Sequence, residues 1–346
     1  MPTEFVVTAP KTIAFRDYEE PPLKQNEVRI CTIVSGIKHG TELALYSGQT
    51  PFLDKAFDPA LRLFVPQKNR HFFPINLGSW ATGEVIEVGK RVKRFKVGDK
   101  VHGGLPHRPT SVADEAKLFP LPETMKPETA LFTDPTLFAL QAVHDAQIKV
   151  GDRVAIIGLG AIGLLAVQIA RLNGAERIFA VDLIDDRLNL AKQFGADDVL
   201  NGKTCDPALE IKRLTGSKGV DVAIEISGAY AGLQTAIRSV HVAGLVVAAS
   251  YFTGSKEQLN LGAEWHHNRP TLRSSMAVWG MPHRNYPMWN LERITETAVH
   301  LLENNRLMTD LMIGRRFAYA KAAEAYQIID QHPEKTLKTL FDYPRE

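Results

Sequence analysis

The sequence predicts a two-domain α/β protein: a β-rich N-terminal half followed by a doubly wound parallel sheet. Three observations carry this. The chain has 346 residues, and domains run at roughly 100–200 residues each. Its first third is built of short β-branched, partly alternating runs separated by glycine and proline. From Pro127 onward, apolar runs of strand length alternate with helical spacing, the pattern of βαβ units, a parallel sheet and right-handed crossovers.

In the N-terminal part, Thr12–Tyr18, Glu27–Val34, Ala81–Val88 and Lys100–His102 read as strands. Gly36, Gly40, Gly48, Gly78, Gly83 and Gly89 punctuate them, and Pro51, Pro59, Pro66 and Pro74 mark loops. The second part begins with a strand at Arg153–Ile157 and a helix at Ala161–Asn173, which Gly174 caps. Strand Arg177–Val181, helix Asp185–Phe194 with Gly195 after it, and strand Asp198–Leu200 follow. Next come helix Pro207–Thr215, strand Asp221–Ile226, helix Ala231–Val240 and strand Leu245–Ala249. Thr271–Val278 reads as the last strand of the sheet. Helices near Leu291–Asn304 and Ala320–Asp330 close the chain.

Composition excludes several classes. Forty-one Lys+Arg against 39 Asp+Glu leave a net charge of +2, so no basic field points to nucleic acid. The longest apolar stretch, Gly158 to Val167, is about half of what a bilayer span needs. Met1 to Lys11 lacks a charged-then-apolar leader, so neither membrane nor secretion is expected. Cys31 and Cys205 are the only cysteines. A disulfide framework, a four-cysteine zinc lobe and a cysteine-ligated iron–sulfur cluster are therefore excluded, and a reducing cytoplasm is the expected compartment.

The most informative motif is Gly158-Leu159-Gly160-Ala161-Ile162-Gly163. G-x-G-x-x-G alone is weak, but here it follows a strand, opens a helix and sits in a βαβ unit. Gly158 makes the tight turn, Gly160 lets the backbone approach a pyrophosphate, and Gly163 lets the helix pack on the strand. The helix N-terminus adds free N–H groups and partial positive charge. Asp182 ends the next strand, where an acid accepts hydrogen bonds from the adenosine ribose hydroxyls. A 2′-phosphate there would meet a like charge, and Leu183 and Ile184 offer no cation. NAD(H) is therefore expected over NADP(H), with Arg187 flanking the adenine ribose. The bland alternative is a glycine-rich turn with a solvated aspartate.

The chain resembles the medium-chain dehydrogenases/reductases, the superfamily of zinc alcohol, sorbitol and threonine dehydrogenases. Gly83-Glu84-Val85-Ile86-Glu87-Val88-Gly89 and Val92 through Val101 carry the resemblance, with Gly151-Asp152-Arg153-Val154 and Lys321 through Tyr326. It implies a GroES-like β-barrel catalytic domain over residues 1–124 and a Rossmann NAD-binding domain over 125–274. Residues 275–346 would return to the catalytic domain. In that family the cleft between the domains holds nicotinamide and substrate.

The departures matter as much. Where zinc members carry Gly-His-Glu, this chain has Gly78-Ser79-Trp80, and neither Ser nor Trp replaces those zinc ligands. Where they carry Gly-Ile-Cys, it has Gly36-Ile37-Lys38-His39-Gly40-Thr41-Glu42. The four-cysteine lobe is absent. No metal is expected in the usual sites, so side chains must take the hydroxyl proton and stabilise alkoxide character.

The candidates for that role are Lys38, His39 and Glu42 on the loop of the first ligand, and Asp134, which the resemblance sets beside the family's metal. His267, of the His266-His267 pair, is a further candidate for substrate contact. Each has a structural alternative. His39 would bond backbone or phosphate, Lys38 would be solvated, Asp134 would cap a helix, and Glu42 would start one. Trp80 is expected to form an apolar wall.

Three functions compete. The first is hydride transfer between NAD(H) and a secondary alcohol or ketone, of polyol or sugar-like kind. The second is reduction of activated C=C bonds, as in zinc-free quinone and enoyl reductases. The third is noncatalytic NAD(H) binding. The edge strand Thr271–Val278, continuing to Trp279, predicts a homodimer or homotetramer, because an unpaired edge is an aggregation hazard.

Overall fold

The computed structural model describes residues 2–67, 72–252, 254, 256–277 and 289–344. In chain order the first segment contains β1 (Thr3–Ala9), β2 (Thr12–Asp17), β3 (Glu27–Gly36) and α1 (His39–Ser47). It continues with β4 (Lys55–Asp58), β5 (Leu63–Pro66), β6 (Trp80–Val88), β7 (Lys100–Gly103), β8 (Thr110–Asp114), β9 (Leu118–Pro120) and α2 (Pro127–Ala130). The second contains α3 (Thr133–Ala146), β10 (Arg153–Ile157), α4 (Ala161–Leu172), β11 (Arg177–Asp182), α5 (Asp185–Gln193), β12 (Asp198–Asn201) and α6 (Pro207–Leu214). It ends with β13 (Val220–Glu225), α7 (Tyr230–Ser239), β14 (Val240–Ala248), α8 (Glu264–Asn268), β15 (Thr271–Ser274) and α9 (Leu291–Glu303). A last segment adds β16 (Ile313–Ala318), α10 (Ala322–Gln331) and β17 (Lys338–Asp342).

Two compact units result: residues 1–132 with 312–346, and residues 133–311. In the first, the sheet order is β16-β17-β3-β6-β7-β9, with β8 also on β3. β3 alternates buried and half-buried residues, as a strand does when one face covers a core. Phe5, Ile37, Tyr46, Tyr326 and Phe341 are the centre of the main apolar cluster. This is the GroES-like unit.

The second unit is the Rossmann domain. Its sheet runs β12-β11-β10-β13-β14-β15, and every pair is parallel. Val154 to Ile157 are buried without alternation, because helices cover both faces of such a sheet. Gly174 and Gly195 follow α4 and α5 with φ of +99° and +104°, the left-handed position that ends a helix. The strand order reverses between β10 and β13, the switch point at which ligands bind in open α/β sheets.

Several boundaries differ from the sequence reading, the first unit running to residue 132 rather than 124. The return to the first unit begins at residue 312, not 275, because α9 buries Ile294, Ala298, Val299 and Leu302 and packs on α3. The last strand of the sheet stops at Ser274; Val278 and Trp279 lie outside the described residues. Among the described residues, no helix is long and apolar enough to cross a membrane.

Candidate active site

β10 delivers the chain into the fingerprint loop. Gly158 has φ of +95°, and a Cβ there would stand 2.6 Å from the Ser227 amide nitrogen. A Cβ on Gly163 would stand 1.9 Å from the Gly158 carbonyl, so α4 lies directly on the turn. A Cβ on Gly160 would meet nothing within 4 Å. The middle glycine thus faces open space, where a pyrophosphate would approach the backbone. Gly160 is the N-cap of α4, and Ile162 is half-buried in its first turn. These residues fit a dinucleotide.

Asp182 ends β11. Its Oδ2 accepts from the Leu159 amide at 2.6 Å, and its Oδ1 from Leu183 at 2.8 Å and Ile184 at 3.0 Å. The carboxylate therefore ties the fingerprint loop to the end of the second strand. Arg187 Nη1 lies 4.0 Å from Oδ2. No cation follows Asp182 immediately in the sequence, but one turn of α5 brings Arg187, expected at the adenine ribose, to the carboxylate. Leu183 is 53% exposed beside it, leaving an apolar face at the end of the strand.

Sequence reasoning missed Glu225, the last residue of β13 and fully buried. Its Oε1 accepts from the Ser227 amide at 2.7 Å, the Gly228 amide at 3.1 Å and the Ser227 hydroxyl. Burial pushes its pKa up to about 7, against the pull of these donors and of Ser250. The available signal was a carboxylate closing a strand just before Ser-Gly.

In the first unit, Lys38 is the N-cap of α1. The Glu42 side chain reaches back one turn, its Oε1 accepting from the Lys38 amide at 2.8 Å. Its Oε2 takes His107 Nε2 at 3.0 Å and the Tyr326 hydroxyl. His107 Nδ1 lies 2.7 Å from Ser35 Oγ, and Ser35 Oγ lies 2.9 Å from the Tyr343 hydroxyl. Burial raises the Glu42 carboxyl, but the charge and hydrogen bond of His107, with Tyr326 and the Lys38 amide, bring it below the usual carboxylate value. At 2% exposure, Glu42 holds the loop and reaches no solvent. These bonds are those expected of a positioning residue, the structural alternative to a catalytic role for Glu42.

His39 Nε2 accepts from the Thr339 amide at 3.3 Å, with Thr339 Oγ1 at 3.1 Å. An imidazole that accepts at Nε2 carries its proton on Nδ1. Lys38 is half-buried beside it. In the second unit, Asp134 lies in the first turn of α3, and His267 is exposed on α8 with its ring 5.7 Å from that of His266. The structure thus groups Lys38, His39 and Glu42 at the start of α1, and Gly158, Gly160, Ile162, Gly163, Asp182, Leu183 and Arg187 around one cradle. His267 lies on the short helix α8.

Residues 161–292 match the family model for zinc-binding dehydrogenases. The chain is also 36% identical over 344 residues to D-guloside 3-dehydrogenase of Escherichia coli (strain K12), covering 97% of this chain and 98% of that protein. The chain belongs to the medium-chain dehydrogenase/reductase superfamily. Another relative, (R,R)-butanediol dehydrogenase of Bacillus subtilis (strain 168), is 32% identical over 290 residues, 75% of this chain and 78% of that protein. The crystal structure of 2R,3R-butanediol dehydrogenase from Bacillus subtilis matches all of both chains with a TM-score of 0.79 and 25% identity. This medium-chain dehydrogenase/reductase is an oxidoreductase.

The superfamily's metal positions do not fit zinc here. Trp80 donates its indole N–H to His102 Nδ1 at 3.1 Å, and an indole is a donor only. Trp80 also packs with Val34, Leu131 and Leu340, so the apolar wall has a polar anchor. Burial lowers the His102 pKa to about 4, which keeps that ring neutral near pH 7. Among the described residues, no group of three or more His, Cys, Asp or Glu side chains is arranged to hold a metal ion.

Proposed function

We propose that this protein is an NAD(H)-dependent dehydrogenase of a secondary alcohol on a polyol or sugar-like substrate, working without the usual catalytic zinc. The observation that carries this reading is the end-to-end match to a sugar-glycoside 3-dehydrogenase. The Gly158–Gly163 loop and Asp182 support the dinucleotide; Ser79 and Trp80 support independence from zinc.

Bound NAD+ supplies the hydride acceptor. The N-terminus of α4 would offer amides to its pyrophosphate, and the Asp182 carboxylate would face its ribose. With NAD+ bound to accept a hydride from the carbinol carbon, a side chain would take the hydroxyl proton, so that alcohol and NAD+ would give ketone, NADH and one proton. Lys38, His39 and Asp134 are the candidate acceptors. The His39 imidazole suits the role of proton acceptor, and Lys38 suits that of alkoxide stabiliser.

Assembly belongs to the same reading. β15 is the outer strand of its sheet and Leu272 on it is 43% exposed, so pairing of two copies along this edge supports a homodimer or larger. The chain's two cysteines, too few for a disulfide framework, suit a reducing cytoplasm.

The test is a screen of NAD+ and NADP+ reduction against alcohols, polyols and glycosides, with elemental analysis of the same sample. Turnover on hydroxylated sugars with far less than one zinc per chain is expected. Stoichiometric zinc with activity lost to a chelator would overturn the metal-free part. Turnover confined to conjugated C=C substrates would overturn the alcohol part.

A further inference from the structure

Glu225 stands at the carboxyl end of β13, beside the β10–β13 switch point of the sheet. Its register partners are Ile157 on β10 and Ala248 on β14. A Cβ on Gly232 of α7 would stand 2.9 Å from its Oε1 and 2.3 Å from Ser227 Oγ, so α7 closes over it too. Among the described residues, the groups that face it are Ser227, Gly228, Gly232 and Ser250 with the apolar Ile157 and Ala248, and no Lys, Arg or His is among these. Ser227, which the carboxyl grips by amide and hydroxyl, is also the residue on which Gly158 rests, with no atom between. A single residue therefore separates a buried, uncompensated carboxyl from the first fingerprint glycine.

We propose that Glu225 is a proton-linked part of the dinucleotide site: the cofactor's phosphates favour its neutral form, so binding takes up a proton. This rests on the reading that a nicotinamide dinucleotide occupies the fingerprint. The physical reason is that a buried anion without a counter-cation is repelled by further negative charge at short range, and low dielectric strengthens the repulsion. Neutralisation relieves it and leaves Oε1 still able to accept from Ser227 and Gly228. A carboxyl that titrates near neutrality before cofactor arrives, as this one does with a pKa of about 7, is poised to respond within the working range. Reciprocally, cofactor affinity falls as pH rises.

The test uses the whole protein and NADH, whose phosphates do not titrate near pH 7. Calorimetric titration at pH 7.5 in buffers of different ionisation enthalpy reads the protons taken up. A rise of one unit in the Glu225 pKa on binding predicts roughly half a proton per NADH, and a fall in affinity of about fivefold or more from pH 6 to 9. Glu225→Gln, neutral at every pH, should bind NADH with uptake near zero and less than a twofold change over that range. Ser227→Ala removes one donor to the charged form and should move the uptake maximum to higher pH, which a purely structural role would not do. If Glu225→Gln fails to fold, the Ser227→Ala shift decides. Uptake that is equal in wild type and Glu225→Gln, or unmoved by Ser227→Ala, overturns the proposal alone. Binding of NADPH but not NADH overturns only the cofactor choice, and the same titration with NADPH at pH 7.5 and 8.5 then decides. Binding of neither dinucleotide overturns both readings.

Discussion

Cofactor choice turns on two side chains that oppose each other, and both are open to substitution. A 2′-phosphate at the ribose would meet the Asp182 carboxylate. At about 4 Å and an effective dielectric of about 20, each unit pair of like charges repels by roughly 4 kcal/mol. Arg187 Nη1, 4.0 Å from the same carboxylate, offers an attraction of the opposite sign, and three backbone amides already share the anion's charge. The net preference is therefore a small difference between a repulsion and an attraction that are each bigger than it. We expect NADH to bind at least tenfold tighter than NADPH, about 1.4 kcal/mol. Asp182→Asn keeps the shape but removes the charge and one acceptor. It should weaken NADH through the loss of the Leu159 anchor, by about 1.5–3 kcal/mol, and bring the NADH/NADPH ratio below threefold. Arg187→Ala removes the compensating cation and should widen the ratio. Fluorescence titration of both nucleotides against the three proteins reads all of this. Equal or better NADPH binding by the wild type, or a ratio that narrows in Arg187→Ala, would refute the reasoning.

Three further outcomes are expected. Glu42→Gln removes a buried carboxylate that accepts from His107, Tyr326 and the Lys38 amide and should cost roughly 1.5–3 kcal/mol in denaturant unfolding at neutral pH. Because the Glu42 pKa is lowered on folding, its contribution is present above the ordinary carboxylate range and lost as pH falls through it, so the gap to Glu42→Gln should close in acid. Light scattering at micromolar concentration should report at least twice 38.4 kDa; a monomer would reject pairing along β15. Asp134→Asn and His39→Asn should each lower kcat at least tenfold, since a general base supplies roughly 10²–10⁴-fold, with NADH affinity kept within a few-fold. Full turnover in both would move the proton acceptor to Lys38.

The second unit was legible because its signals are local. β10 is an uninterrupted apolar run, and Gly174 and Gly195 close α4 and α5 at positions that demand positive φ. The first unit hides more. A helical turn was expected to start only at Glu42, after Gly40 and Thr41, which are poor helix formers, yet α1 begins at His39, Glu42 reaches back to the Lys38 amide and the helix runs nine residues. β17 escaped notice because its first residue is a lysine. Lys338 is 2% exposed and lies where a Cβ on Gly36 would stand 2.7 Å from its Cε; the glycine makes room for a side chain that pattern alone assigns to solvent. The Glu42 network joins residues 65 and 284 positions apart in the chain, a separation that no local pattern reports. Glu225 was overlooked for a different reason. A carboxylate ending a central strand reads like any strand terminus until burial and the Ser227 contact with Gly158 are known.

The most direct test of the central claim is label transfer. A sugar or glycoside substrate from the screen, deuterated at the carbinol carbon that becomes the ketone, is incubated with NAD+ and the enzyme. The NADH formed is then weighed by mass spectrometry. Hydride transfer from a secondary alcohol predicts NADH heavier by one deuterium, with solvent deuterium absent from the nicotinamide ring. Unlabelled NADH, or tight NADH binding with no transfer from any alcohol tested, would contradict it.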